Sequence, residues 1–149
     1  MSELELADVF DPRKLKKFYK DFKDRSPEVA KKISLERGIK IGHSIAQEAK
    51  IKGDDLNAIA AVFREFLRSE PTAKVETLGD RVRIRNRGFC PVMASSMSLN
   101  IPWQWLCERL GWPLFIGIAR GINPHAEMTM MKYRHRGDPY CQHLFEIKR

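Results

Sequence analysis

The sequence predicts an α+β fold: N-terminal helices, an antiparallel sheet made from two β-hairpins, and helices covering one face of that sheet. Three observations carry this. Apolar residues recur at i, i+3, i+4 and i+7 in the first half, as in Leu15, Phe18, Tyr19 and Phe22. After Pro71 the period drops to two, with Val75 and Thr77 on one side of Gly79-Asp80 and Val82 and Ile84 on the other. A second alternating region closes the sequence around Gly137-Asp138. With 149 residues, 43% of them hydrophobic, the chain fits one domain. Residues 1–25 read as a helical extension and residues 26–149 as the core.

Each element has its own signal. Asp11-Pro12 supplies an N-cap and a first helical residue, with lysines on the polar face of the helix that follows. Ser26-Pro27 opens a second helix through Val29, Ile33, Ile41, Ile45 and Ala49. On it Gly38 and Gly42 lie one turn apart, where another element could approach closely. Asp54 or Asp55 caps a third helix with the stripe Leu56, Ile59, Ala60, Phe63, Phe66 and Leu67. In the first hairpin, a two-residue Gly-Asp turn sets Val75 opposite Ile84, Thr77 opposite Val82, and Glu76 opposite Arg83 as a charge pair. Cys90-Pro91 starts a helix. Pro102 starts another, carrying Trp103, Leu106, Cys107 and Leu110 and ending at Gly111; Pro113 opens a third piece with Leu114, Phe115 and Ile118, closed by Gly121. The last hairpin runs from 126 to 134 and from 140 to 147.

Composition narrows the partners. Net charge is +8, which suits nucleic acid, anionic lipid or an acidic ligand. The basic residues are dispersed, however, and the alternating set Arg81, Arg83, Arg85 and Arg87 reads as a solvated sheet face. No base-reading helix stands out, so specific nucleic-acid recognition is not expected. No apolar run approaches the roughly 18 residues of a membrane span. The polar start, Met1 to Glu5, differs from a secretory signal, and three cysteines cannot all pair, so a reducing cytoplasm is expected. The familiar signatures of phosphate loops, dinucleotide sites, serine-hydrolase elbows and zincins are absent.

Chemistry concentrates on three thiols and a histidine. Cys90 sits where strand gives way to helix. There the helix dipole and free N–H groups favour the thiolate and should lower its pKa, and burial as a small hydrophobe is the alternative. Cys141 and His143 lie at i, i+2 on a strand and share a face. They could supply ligands to Zn or Fe, or simply belong to the core with Phe145 and Ile147. Cys107 lies on an apolar helical stripe. No CxxC pair exists.

Four spaced pieces resemble a known family. They are Gly88-Phe89-Cys90-Pro91, Trp105-Leu106-Cys107-Glu108, Gly117-Ile118-Ala119-Arg120-Gly121-Ile122-Asn123-Pro124, and Arg136-Gly137-Asp138-Pro139-Tyr140-Cys141. Together they are similar to the aminothiazoline-carboxylate hydrolase-like family, itself similar to the 4-vinyl-reductase-like small-molecule-binding domain. The resemblance covers roughly residues 35–149. Tyr133 stands where the ligand-binding domain often has a further cysteine. The resemblance implies a cysteine-based site on Cys90, Cys107 and Cys141. Cys90 and His143 would act in catalysis, or the four residues Cys90, Cys107, Cys141 and His143 would hold Zn or Fe. Arg120 would meet a substrate carboxylate, and Trp103, Trp105 and Phe115, with Met128 and Met130, would line the pocket. Hydrolysis of a C–N or C–S bond is one expected function, and ligand, metal or redox sensing without turnover is the other. The expected partners are a small-molecule ligand and a second copy of the chain.

Overall fold

A computed structural model describes residues 5–88 and 90–148. Residues 1–4, and Phe89 of the Cys-Pro motif, lie outside the described residues. The fold is α+β. Its sheet has four antiparallel strands in the order β1-β2-β4-β3, with β1 Ala73–Leu78, β2 Arg81–Asn86, β3 Ala126–Lys132 and β4 Cys141–Ile147. Both hairpins form, and they join through β2 and β4. Helices pack on the face that carries Val82, Ile84 and Phe145, which are all at most 2% exposed. Among the described residues, no helix is long and apolar enough to cross a membrane.

The first hairpin has the expected register: Val75 opposite Ile84, Glu76 opposite Arg83, Thr77 opposite Val82. Gly79 has φ +61, a left-handed position at the first turn residue that suits glycine. The Arg83 guanidinium reaches both carboxylate oxygens of Glu76 at 3.2 Å.

The N-terminal segment belongs to the core. Helix α1 (Leu6–Val9) and Phe10 bury Leu6, Val9 and Phe10, a turn the sequence reading missed. Helix α2 (Pro12–Phe22) is capped by Asp11, whose Oδ1 accepts from Arg13 N–H at 2.8 Å, and it buries Leu15. Asp55 caps α4 (Leu56–Phe66) by accepting from Ala58 N–H.

Helix α3 (Pro27–Glu48) departs from its predicted stripe. Ile33 is 41% exposed, and the buried face of this half is Ala30, Ser34 and Gly38. The cause is the close approach of α7 (Trp112–Arg120). A Cβ on Gly38 would lie 2.2 Å from the Leu114 carbonyl oxygen, and one on Gly117 would lie 2.2 Å from that of Leu35. Only glycines let the two backbones meet.

A second departure is continuity. Helix α6 (Trp103–Leu106) runs without a break through a π turn, Cys107–Gly111, into α7. Gly111 and Trp112 stay helical, and Trp112 N–H donates to the Cys107 carbonyl, five residues back. Pro113 has no N–H, and its ring would crowd the Arg109 carbonyl in a regular α-helix. The wider π turn makes room for the ring.

The second hairpin is shorter than predicted. β3 ends at Lys132 after a bulge, and Arg134–Arg136 form a 3₁₀ turn. Asp138 holds this turn by accepting from Tyr133 N–H at 3.0 Å and pairing with Arg136 at 2.6 Å.

Candidate functional site

One end of the sheet, α5 (Pro91–Leu99) and the π turn enclose a cavity of about 80 Å³. Three separate elements each point a cysteine at it. Cys90 arrives as the N-cap of α5, Cys107 as the first residue of the π turn, and Cys141 as the first residue of β4. The i, i+2 spacing places His143 on the same sheet face as Cys141, and both border the cavity. Trp103 and Phe115 also line it. Leu6 and Phe10 from the N-terminal segment close another side.

Four expected residues lie elsewhere. Trp105 packs edge-on against Phe18 and Tyr19, with ring centres 5.7 and 4.9 Å away, and is not on the cavity wall. Arg120, expected to bind a carboxylate, instead donates from Nε to the Ala126 carbonyl at 2.9 Å and so ties α7 to β3. Met128 and Met130 are also off the wall; the Met128 sulfur sits 3.4 Å from His143 Nδ1.

The structure adds residues that the sequence reading passed over. His135, in the 3₁₀ turn, stacks on Trp112 with ring centres 5.5 Å apart and lies 4.7 Å from Tyr133; all three border the cavity. His135 Nε2 is buried and has no hydrogen-bond partner among the described residues. Such orphaned atoms are rare in folded proteins and call for an explanation. Glu70, beyond α4, also reaches the wall. Neither residue falls in a recognisable motif, and only the short run Arg134-His135-Arg136 marks the place.

Electrostatics corrects the expectation for Cys90. Val92 and Met93 backbone N–H groups and the Arg134 charge do favour its thiolate, but burial outweighs them and pushes the thiol up. Burial raises Cys107 more strongly still, and the other two thiols add to it. Cys141 is also raised by burial, although Arg134 N–H donates to its sulfur at 3.4 Å. His143, buried with its ring centre 4.7 Å from that of Phe115, is pushed down to about 4. Burial lowers His135 as well. Burial, with help from Glu5, raises the Glu70 carboxyl above the ordinary carboxylate range. At neutral pH the wall therefore presents neutral thiols and neutral imidazoles.

The four residues expected to ligate Zn or Fe share the cavity, but sharing a wall is not coordination. Among the described residues, no group of three or more His, Cys, Asp or Glu side chains could hold one metal ion. The arrangement suits soft contacts and weak hydrogen bonds to an uncharged guest. No protein-family model matches the chain, and no curated protein matches it.

Proposed function

We propose that the protein is a small-molecule-binding module whose ligand is compact, uncharged where it meets the wall, and carries one polar atom for His135. The convergence of Cys90, Cys107 and Cys141 with His135 and His143 on one largely apolar cavity carries this reading. Size supports it. The cavity is about 80 Å³. An engineered cavity of about 150 Å³ accepts benzene, so a ring of five atoms or fewer, with some movement of the wall, is the upper bound. The unpartnered Nε2 supports a ligand that donates or accepts one hydrogen bond.

The test uses thiazole, a neutral five-membered heterocycle, with tryptophan emission as the readout. Trp103 and Trp112 border the cavity and Trp105 does not, so a Trp105→Phe variant keeps the two reporters. The expected result is a saturable change that survives Trp105→Phe. Filling the cavity by Cys107→Leu or Cys141→Leu weakens binding by about tenfold or more, equal to about 1.4 kcal/mol. A linear response, or equal binding by the filled variants, contradicts the proposal.

A second reading, hydrolysis of a C–N or C–S bond as the family resemblance implies, draws support from one arrangement. The N–H groups of Val92 and Met93 and the Arg134 charge all favour a thiolate on Cys90 once it forms. Turnover of an aminothiazoline carboxylate, lost in Cys90→Ser, would favour it over simple binding.

A further inference from the structure

The sheet face opposite the helices carries a pattern that the cavity does not use. Because side chains alternate, Lys74, Arg85, Gln142 and Lys132 form one row across all four strands on that face. At about 4.8 Å per strand the row spans about 14 Å. Arg87 and Tyr140 continue it just beyond the ends of β2 and β4. The Tyr140 ring gathers the cations: Arg87 lies 4.6 Å from its centre, and Arg85 and Lys132 each lie 5.7 Å away. Arg85 Nε is oriented by Gln142 at 3.1 Å.

Charge balance sets these cations apart from their neighbours. Arg83 has Glu76, Arg81 has Asp80, and Lys148 has Glu146. Lys74, Arg85, Arg87 and Lys132 form no ion pair among the described residues. The nearby carboxylate, Asp138, is stabilised in small part by the Lys132 charge and is itself engaged by Arg136. Three positive groups, Arg85, Arg87 and Lys132, are thus collected around one aromatic ring on this sheet face, and Lys74 stands at the β1 end of the row. The acidic side chains Glu127 and Glu146 lie towards the opposite end of that face.

We propose that this face binds single-stranded nucleic acid without sequence preference, with Lys74, Arg85, Arg87 and Lys132 on successive phosphates and Tyr140 as a stacking surface for a base. Guanidinium groups match phosphate oxygens through paired N–H donors, and an aromatic ring accepts any base. A row of about 14 Å can span more than one phosphate of an extended strand. The absence of a base-reading helix fits binding through backbone and stacking alone.

Fluorescence anisotropy with a labelled oligo(dT) tests this across a salt series. Four neutralised phosphates give a slope of log K on log salt of about −3, and Arg85→Gln with Arg87→Gln brings it to about −1.5. The double variant loses about tenfold or more in affinity at low salt, and Tyr140→Leu weakens binding without changing the slope. Lys16→Gln with Lys20→Gln on α2 removes the same charge elsewhere and leaves both readings nearly unchanged. The proposal is overturned if that control weakens binding as much as the sheet-face pair, since diffuse net charge then suffices. It is overturned as well if the protein binds phosphatidylserine vesicles through Arg85 and Arg87 and not the oligonucleotide, or binds neither at low salt.

Discussion

Ser34 donates its hydroxyl hydrogen to the Arg109 carbonyl at 2.9 Å, across 75 positions of sequence. That carbonyl is the one Pro113 cannot serve, because proline has no N–H to offer four residues on. Ser34 is 1% exposed and stands on the small-residue face of α3, so the close approach of α3 to α7 and the repair of the helix are one arrangement. The same π turn sets Cys107 on the cavity wall. Removing the hydroxyl by Ser34→Ala should cost about 1–2 kcal/mol in urea denaturation, since it takes the donor from a partly buried acceptor. In a Pro113→Ala background residue 113 regains its N–H, and the cost of Ser34→Ala should fall below half of that. Equal costs in both backgrounds would separate the two residues.

The glycine contact makes a sharper prediction. Gly38→Ala and Gly117→Ala each place a Cβ 2.2 Å from a backbone oxygen on the facing helix, and neither backbone can move alone. Each should destabilise the fold by about 3 kcal/mol or prevent it. Gly111→Ala is the contrast: its nearest neighbour would be 3.9 Å away and its backbone is already helical. It should be neutral or stabilise by up to about 1 kcal/mol. Thermal melts of the three variants give the ranking, and a Gly38→Ala protein as stable as the parent would refute the close approach.

His143 sets an acid limb. In the fold it binds a proton only near pH 4, whereas the ordinary value is 6.5. The unfolded chain therefore takes up a proton first as pH falls from about 6.5, and stability drops from there down to about pH 4. The loss amounts to about 3 kcal/mol. His135 is shifted the same way and contributes in the same direction. Denaturation at pH 7 and pH 5 should show a smaller fall for His143→Met than for the parent. An unchanged fall would show that His143 is not held neutral by burial.

Much of the fold was legible because its signals are local. The Gly79-Asp80 turn, the alternating apolar residues and the Glu76–Arg83 pair all specify one register, and that register is present. The caps at Asp11 and Asp55 follow from side-chain chemistry within three residues. What escaped depends on distant partners. Ile33 looked like core by periodicity, but α7 lies against Ala30, Ser34 and Gly38 instead. Gly111 and Pro113 looked like a helix end and a new start, and only Ser34, far away in sequence, makes one continuous helix tolerable. At the site, the cysteine positions could be read from spaced motifs. The direction of their pKa could not, because dipole and charge are visible in sequence while burial is not. His135 and Glu70 carried no pattern, and Arg120 was diverted by a carbonyl that only the tertiary structure brings near.

Three thiols from three elements, Cys90, Cys107 and Cys141, wall one cavity. Alkylation of Cys90, Cys107 and Cys141, followed residue by residue by peptide mass mapping across pH and with increasing thiazole, tests this most directly. Burial raises all three thiols. All three should therefore label slowly at pH 7, accelerate only above the free-thiol value of about 8.5, and leave Cys107 slowest. Thiazole should protect all three with a single half-saturating concentration that matches the fluorescence titration. Rapid labelling of Cys90 at neutral pH, or protection of one cysteine while the others react unhindered, would contradict the account.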